Sequence, residues 1–218
     1  MMFPLPSKLS RLGASGLLWA SIFVPALALA AKEFVMPTPG PAGTYAAHDE
    51  HAGDRISIAI DRYDEAKKAS IFSVHYLEYG FLPIFLVVTN DGDQPAELVD
   101  MKAEVVAADR TKLESLEVDD IRRRVTRPLS RRQYPLPFPT KKVKGGLSAK
   151  DLNEIERAQF GARAVEPHST QAGFLFFDVS DLPGGLGGAR FYLTGVRNSQ
   201  GREVIYFEVP LDPPLPPH

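Results

Sequence analysis

The chain has 218 residues, with 25 lysines and arginines against 27 aspartates and glutamates, and no cysteine. The missing cysteine excludes disulfides, thiol catalysis, thiolate metal sites and the lipoprotein export route. The acidic balance is a poor footprint for nucleic-acid binding, and 19 prolines with 17 glycines favour many turns over long helices.

Residues 1–30 read as a secretory signal peptide. Lys8 and Arg11 form a positive start, residues 12–24 are apolar, Pro25 breaks the helix, and Ala28-Leu29-Ala30 is a small-x-small cleavage site. The expectation is cleavage after Ala30 and an exported protein, periplasmic or extracellular. The competing reading is a retained anchor, since residues 12–30 are long enough to span a bilayer. Pro25, the alanine-rich end and the single following base, Lys32, oppose it. No later apolar stretch reaches spanning length, so no transmembrane span is expected after cleavage. The remaining chain holds 23 bases and 27 acids, a net of −4, and is one domain by size.

Residues 31–54 contain Pro37, Pro39, Gly40, Pro41 and Gly43 and read as an irregular lead-in. Residues 55–61 alternate, with Ile56, Ile58 and Ile60 on one face. Residues 73–77, around His75, read as a short strand. Residues 81–89 are apolar on both faces, as in a central strand, and Asn90-Asp91-Gly92-Asp93 closes them with turn chemistry. Residues 98–107 alternate again, with Met101, Ala103 and Val105 inward. The spacing then predicts a helix over 116–125, with Val118, Ile121 and Val125 on one face. A second helix is expected over 148–160, capped by Ser148 and Asp151. Residues 172–179, 189–196 and 203–209 read as strands, the last two joined as a hairpin around residues 197–201. Residues 212–218 form a proline-rich tail.

Six such strands predict an all-β fold, an antiparallel two-sheet sandwich over residues 55–211 with a helical, basic insertion at 116–161 lying outside the core. The predicted core is Ile56, Ile58, Ile84, Leu86, Val88, Leu175, Phe177, Phe191, Leu193, Ile205 and Phe207. Three stretches, 47–51 leading into Ile56–Ile60, 81–93 and 173–179, resemble a group of secreted bacterial proteins of uncharacterised function. The last two also resemble the telokin-like and other immunoglobulin-like domains of bacterial surface proteins. The resemblance covers most of 55–211 outside the insertion. It implies an immunoglobulin-like sandwich and implies no reaction.

Two clusters are candidate sites. His48-Asp49-Glu50-His51 offers nitrogen and oxygen ligands, and His48, Asp49 and His51 are the candidate metal ligands, with His75 or Asp54 needed to complete a set. The plainer reading of this stretch is a polar, solvated approach to the first strand. The second cluster is Arg122, Arg123, Arg124, Arg127, Arg131, Arg132, Lys141, Lys142 and Lys144, nine bases with no acid among them and with Tyr134 and Phe138 interleaved. It suits an anionic partner; the plainer reading is a solvated segment that pairs with the domain's own acids. No G-x-S-x-G elbow is present, adjacent Asp119 and Asp120 do not make an acid–base pair, and Asn90–Asp93 lacks the calcium-loop spacing. No catalytic residue and no cofactor is assigned. The expected function is an exported, non-catalytic binding module that contacts an envelope protein or an anionic envelope component. The alternative is a metal-binding protein or metal-dependent envelope enzyme built on His48, Asp49 and His51.

Overall fold

The computed structural model describes residues 33–126, 148–182, 184–198, 200–203 and 206–212. The expected signal peptide, Ile205, the tail from 213 and the basic residues between 127 and 147 lie outside these. In chain order the elements are β1 (His48–His51), β2 (Ile56–Arg62), α1 (Ala66–Ala69), β3 (Phe81–Asn90), β4 (Ala96–Glu97), β5 (Lys102–Val106), β6 (Lys112–Glu114), α2 (Val118–Thr126), α3 (Ala149–Ala158), β7 (Ala164–Val165), β8 (Ser169–Asp178), β9 (Arg190–Thr194) and β10 (Phe207–Pro210). No helix among the described residues is long and apolar enough to cross a membrane.

The fold is β-rich. One sheet has the order β1-β2-β3-β8 and the other β10-β9-β5-β6, while β4 and β7 form a short ribbon. Every strand pair is antiparallel. β3 sits centrally in the first sheet with all ten residues buried, as its two apolar faces require. The expected hairpin is present. β9 and β10 pair with Leu193 opposite Phe207, and the turn closes through Gly201 N–H to Asn198 O at 2.8 Å.

The two sheets face one another across a core that contains every described residue of the predicted set. Ile56, Ile58, Ile84, Leu86, Val88, Leu175 and Phe177 come from the first sheet, and Phe191, Leu193 and Phe207 from the second. The strand period of two groups these residues on one face of each strand, and hydrophobic alternation marks that face as inward in β2 and β9.

The opposite face of the first sheet departs from expectation. Ala59, Phe81, Phe85, Val87, Phe174 and Phe176 point away from the second sheet and build a separate, aromatic core. Ile121 and Val125 of α2, Ile155 and Ala158 of α3, and Phe72, Val74, Tyr76 and Tyr79 from the connection before β3 cover it. The two helices of segment 116–161, expected outside the core, therefore form a third layer of the domain. The physical reason lies in β8, where Phe174, Leu175, Phe176 and Phe177 are all buried. An apolar run without alternation needs cover on both faces, and each fully buried side chain of this size contributes about 1.5–3 kcal/mol. The lead-in also joins this layer: Phe34 stacks on Phe72 with centroids 5.5 Å apart, and Ala42 N–H donates to Thr89 Oγ1 at 2.9 Å.

The helices are tied to the sheet at the outer edge of β8. Leu116 N–H donates to Phe176 O at 2.8 Å and Phe160 N–H to Phe174 O at 2.9 Å. Gly173 permits this approach, because a Cβ there would lie 2.5 Å from Phe160 Cα. His75, expected in a strand, instead precedes a 3-10 turn, Tyr76–Tyr79, which ends at Gly80.

Candidate functional site

The histidine cluster folds as strand β1, and strand geometry separates its members. Side chains alternate along a strand, so His48 and Glu50 share one face and Asp49 and His51 the other. Leu211 N–H bonds to Ala189 O, which fixes the odd-numbered residues of β10 as those bonded to β9 and turns the backbone groups of Tyr206 and Glu208 outward. Asp49 and His51 meet those groups. Asp49 Oδ2 accepts from Glu208 N–H at 2.9 Å, and His51 Nε2 donates to Tyr206 O at 2.8 Å. The His51 ring also packs edge-on against Phe207, with centroids 4.4 Å apart. His48 Nδ1 donates to Tyr45 O at 2.6 Å. The arrangement is a seam that joins the edge strands of the two sheets. His48 does not converge with Asp49 and His51. Asp54 bonds to Arg202 instead, and no group of three or more His, Asp or Glu side chains is placed to hold a metal among the described residues.

Three of the nine candidate anion-binding bases are described, and each is engaged by acid from the same domain. Arg122 pairs with Glu156 of α3 and lies 3.7 Å from Asp119. Arg123 pairs with Asp120 one turn earlier. Arg124 pairs with Asp178 at the end of β8, donates to Ser180 Oγ at 3.2 Å, and lies over the Phe81 ring, 5.4 Å from its centroid. Arg122 fastens α2 to α3 and Arg124 fastens it to the first sheet, while the Arg123 pair stays within α2. Arg127, Arg131, Arg132, Lys141, Lys142 and Lys144 lie outside the described residues.

A buried carboxylate, Glu154 on α3, gave no signal in the sequence. It is only 4% exposed and accepts hydrogen bonds from Ser73 N–H at 2.7 Å, Val74 N–H at 3.1 Å and the Ser73 hydroxyl. The Ser73 hydroxyl also lies 3.0 Å from Asp151 Oδ1. A hydroxyl held against a carboxylate is the first step toward a nucleophile, but here the carboxylate also binds two backbone amides and clamps the loop onto α3. Asp151 closes a capping box with Ser148 at the helix start. Burial opposes its ionisation; hydrogen bonds from Ser148 and Ser73 and the charge of Lys150 outweigh that and hold its carboxyl below the usual value. The Tyr76 hydroxyl is buried beside this group without a well-formed hydrogen bond. Burial first, and the Glu154 charge second, push its ionisation far upward.

An open groove of about 540 Å³ lies at one end of the second sheet, lined by Val99, Asp100, Met101, Lys102, Thr194, Gly195, Arg197 and Glu203. Its walls come from segments more than ninety residues apart, joined where Lys102 pairs with Thr194 across β5 and β9. Nothing in either segment alone marks it.

No protein-family model matches the chain, and no curated protein matches it.

Proposed function

We propose that this chain is an exported, non-catalytic binding module of the bacterial cell envelope, an immunoglobulin-like sandwich whose basic segment contacts an anionic envelope component. The observation that supports this reading most is a separation of charge. Residues 127–147 hold six bases and no acid, while the rest of the chain after Ala30 holds 17 bases and 27 acids, a net of −10. Arg122, Arg123 and Arg124, just before that segment, are already neutralised within the domain. The six bases are thus a separate positive surplus, bracketed by two helices that are docked on the sheet. The metal-dependent alternative gains nothing from the seam, where Asp49 and His51 bind the backbone of the opposite sheet.

Six bases at an anionic surface contribute roughly 1 kcal/mol each, which corresponds to a partition constant on the order of 10⁴ M⁻¹. The exported chain should sediment with phosphatidylglycerol vesicles at low salt, be released as salt rises, and ignore phosphatidylcholine vesicles, because exposed charges are screened beyond about 8–10 Å at 0.1–0.15 M. Replacing the six bases with glutamate should abolish retention and leave the thermal midpoint unchanged. A variant that stays folded and sediments as before removes the basis of the proposal.

A further inference from the structure

We propose that the groove at the end of the second sheet, together with the tyrosine pair beside it, binds a neutral pyranose glycan chain. The first sheet is covered on both faces by the second sheet and the helical layer. The second sheet alternates buried and open residues along β5, β9 and β10, so its outer face is open. On that face Tyr206 is 44% exposed and Tyr192 lies beside it, with ring centroids 6.1 Å apart. Next to Tyr192, directly across the β9–β10 pairing, stands Glu208, which is ion-paired with Arg190. The tyrosine pair thus projects from a paired hairpin whose backbone is set before any ligand arrives, which lowers the ordering cost of binding.

The hairpin register carries this pair to the groove. Leu193 opposes Phe207, and the separate bridge of Arg197 with Glu203 keeps the same offset; that register sets Tyr206 against Thr194, a groove residue. Val99, 58% exposed, and Met101 supply apolar surface. The charged groups of the groove balance, Lys102 and Arg197 against Asp100 and Glu203. Arg197 Nε is buried and has no hydrogen-bond acceptor; it lies 3.2 Å from Asp100 Oδ2 but out of line. Gly195, at φ 75°, lets the walls meet, because a Cβ there would fall 2.0 Å from Asp100 O.

This combination selects the ligand. Aromatic rings accept the C–H face of a pyranose, and paired carboxylates and cations supply acceptors and donors for its hydroxyls. A site without net charge favours neither a polyanion nor a polycation. An extended peptide would seek a free strand edge for its backbone, and this surface is a sheet face. The assignment shares with the preceding proposal only the idea of a binding module, and it uses neither the basic segment nor any described arginine of α2.

The test uses the full chain, expressed with residues 1–30 and recovered as exported, with insoluble chitin and microcrystalline cellulose as probes. Depletion of the protein by either polymer, unchanged in about 1 M salt where charges are screened within roughly 3 Å, is the expected result. Tyr206→Ser and Val99→Ser, both at exposed positions, should each weaken retention about tenfold, as loss of a central contact does, with the thermal midpoint unchanged. No depletion by either polymer overturns the assignment, as does depletion that salt reverses or that survives the double substitution. Chitin and cellulose carry no phosphate and the vesicles carry no sugar, so failure here and failure of the vesicle test are separate outcomes.

Discussion

Substituting Phe174 by alanine tests whether the helical layer belongs to the core. The Phe174 ring is fully buried on the face of β8 that turns away from the second sheet. It meets Tyr63, Phe72 and Phe85 at centroid distances of 4.8, 4.9 and 5.0 Å. Deleting a buried phenylalanine costs about 3–5 kcal/mol, and well-placed aromatic pairs add roughly 0.5–1.5 kcal/mol each beyond burial. Phe177, three residues on and facing the second sheet, meets one ring, Phe191, at 6.2 Å. Phe174→Ala should therefore cost at least as much as Phe177→Ala, near the upper end of that range. Urea titration gives the difference through the midpoint at unchanged slope. Thermal unfolding should show a drop of roughly 6–20 °C, at about 2–4 °C per kcal/mol for a domain of this size. A loss below about 1 kcal/mol for Phe174→Ala, beside a full loss for Phe177→Ala, would mean that the helices do not cover this face, and the three-layer description would fail.

Two further expectations concern the polar contacts. Asp49→Ala leaves Glu208 N–H without its acceptor, and hydrogen bonds to charged groups contribute about 1.5–3 kcal/mol; the variant should lose stability on that scale and exchange the Glu208 amide faster, whereas an unchanged exchange rate would show that the seam does not hold the edge. Because the folded Asp151 carboxyl is held below its ordinary value of 3.8, its contribution is present above that value and lost as pH falls below it; Asp151→Asn should flatten the acid limb of the stability–pH curve, and parallel curves for the two proteins would refute the capping role.

The strands were legible because alternation along β2 and β9 singles out Ile56, Ile58, Phe191 and Leu193 as inward, and the strand period of two then groups Ile84, Leu86 and Val88, and Leu175 with Phe177, each on one face of β3 and β8. The both-faces-apolar run of β3 marked it as central for the same reason. The second core was not legible. Phe174 and Phe176 read as aromatic load on a strand, and sequence alone does not say that Ile121, Val125 and Ile155, more than fifteen residues away along the chain, dock against them. The amphipathic patterns of α2 and α3 were clear; their destination was not. The histidine cluster misled for a related reason. Ligand chemistry depends on residue type, but convergence depends on backbone period, and a strand sends His48 and His51 to opposite faces. The groove was invisible because its walls meet only through the pairing of β5 with β9, and the clamp on Ser73 because Glu154 is one acid among many on a charged helix.

The layering also decides where a partner can bind. The first sheet is closed on both faces, and its two edge strands are occupied: β1 meets β10 through Asp49 and His51, and β8 carries the backbone contacts from Leu116 and Phe160. Among the described residues, what remains open is the outer face of the second sheet, while α2 and α3 lie on the far side of the first sheet. The outer face of the second sheet and the two helices are thus separated by the whole stack, on the order of 20 Å for three layers about 10 Å apart. The two proposed binding surfaces also differ in kind, one balanced in charge and aromatic, the other a surplus of six bases. If both proposals hold, rising salt should release an anionic surface and leave a neutral glycan bound. Arg122 and Arg124, just before the basic segment, already fix α2 to Glu156 of α3 and to Asp178 of β8, so a partner engaging the six bases beyond them would meet a core whose nearest helix is held in place.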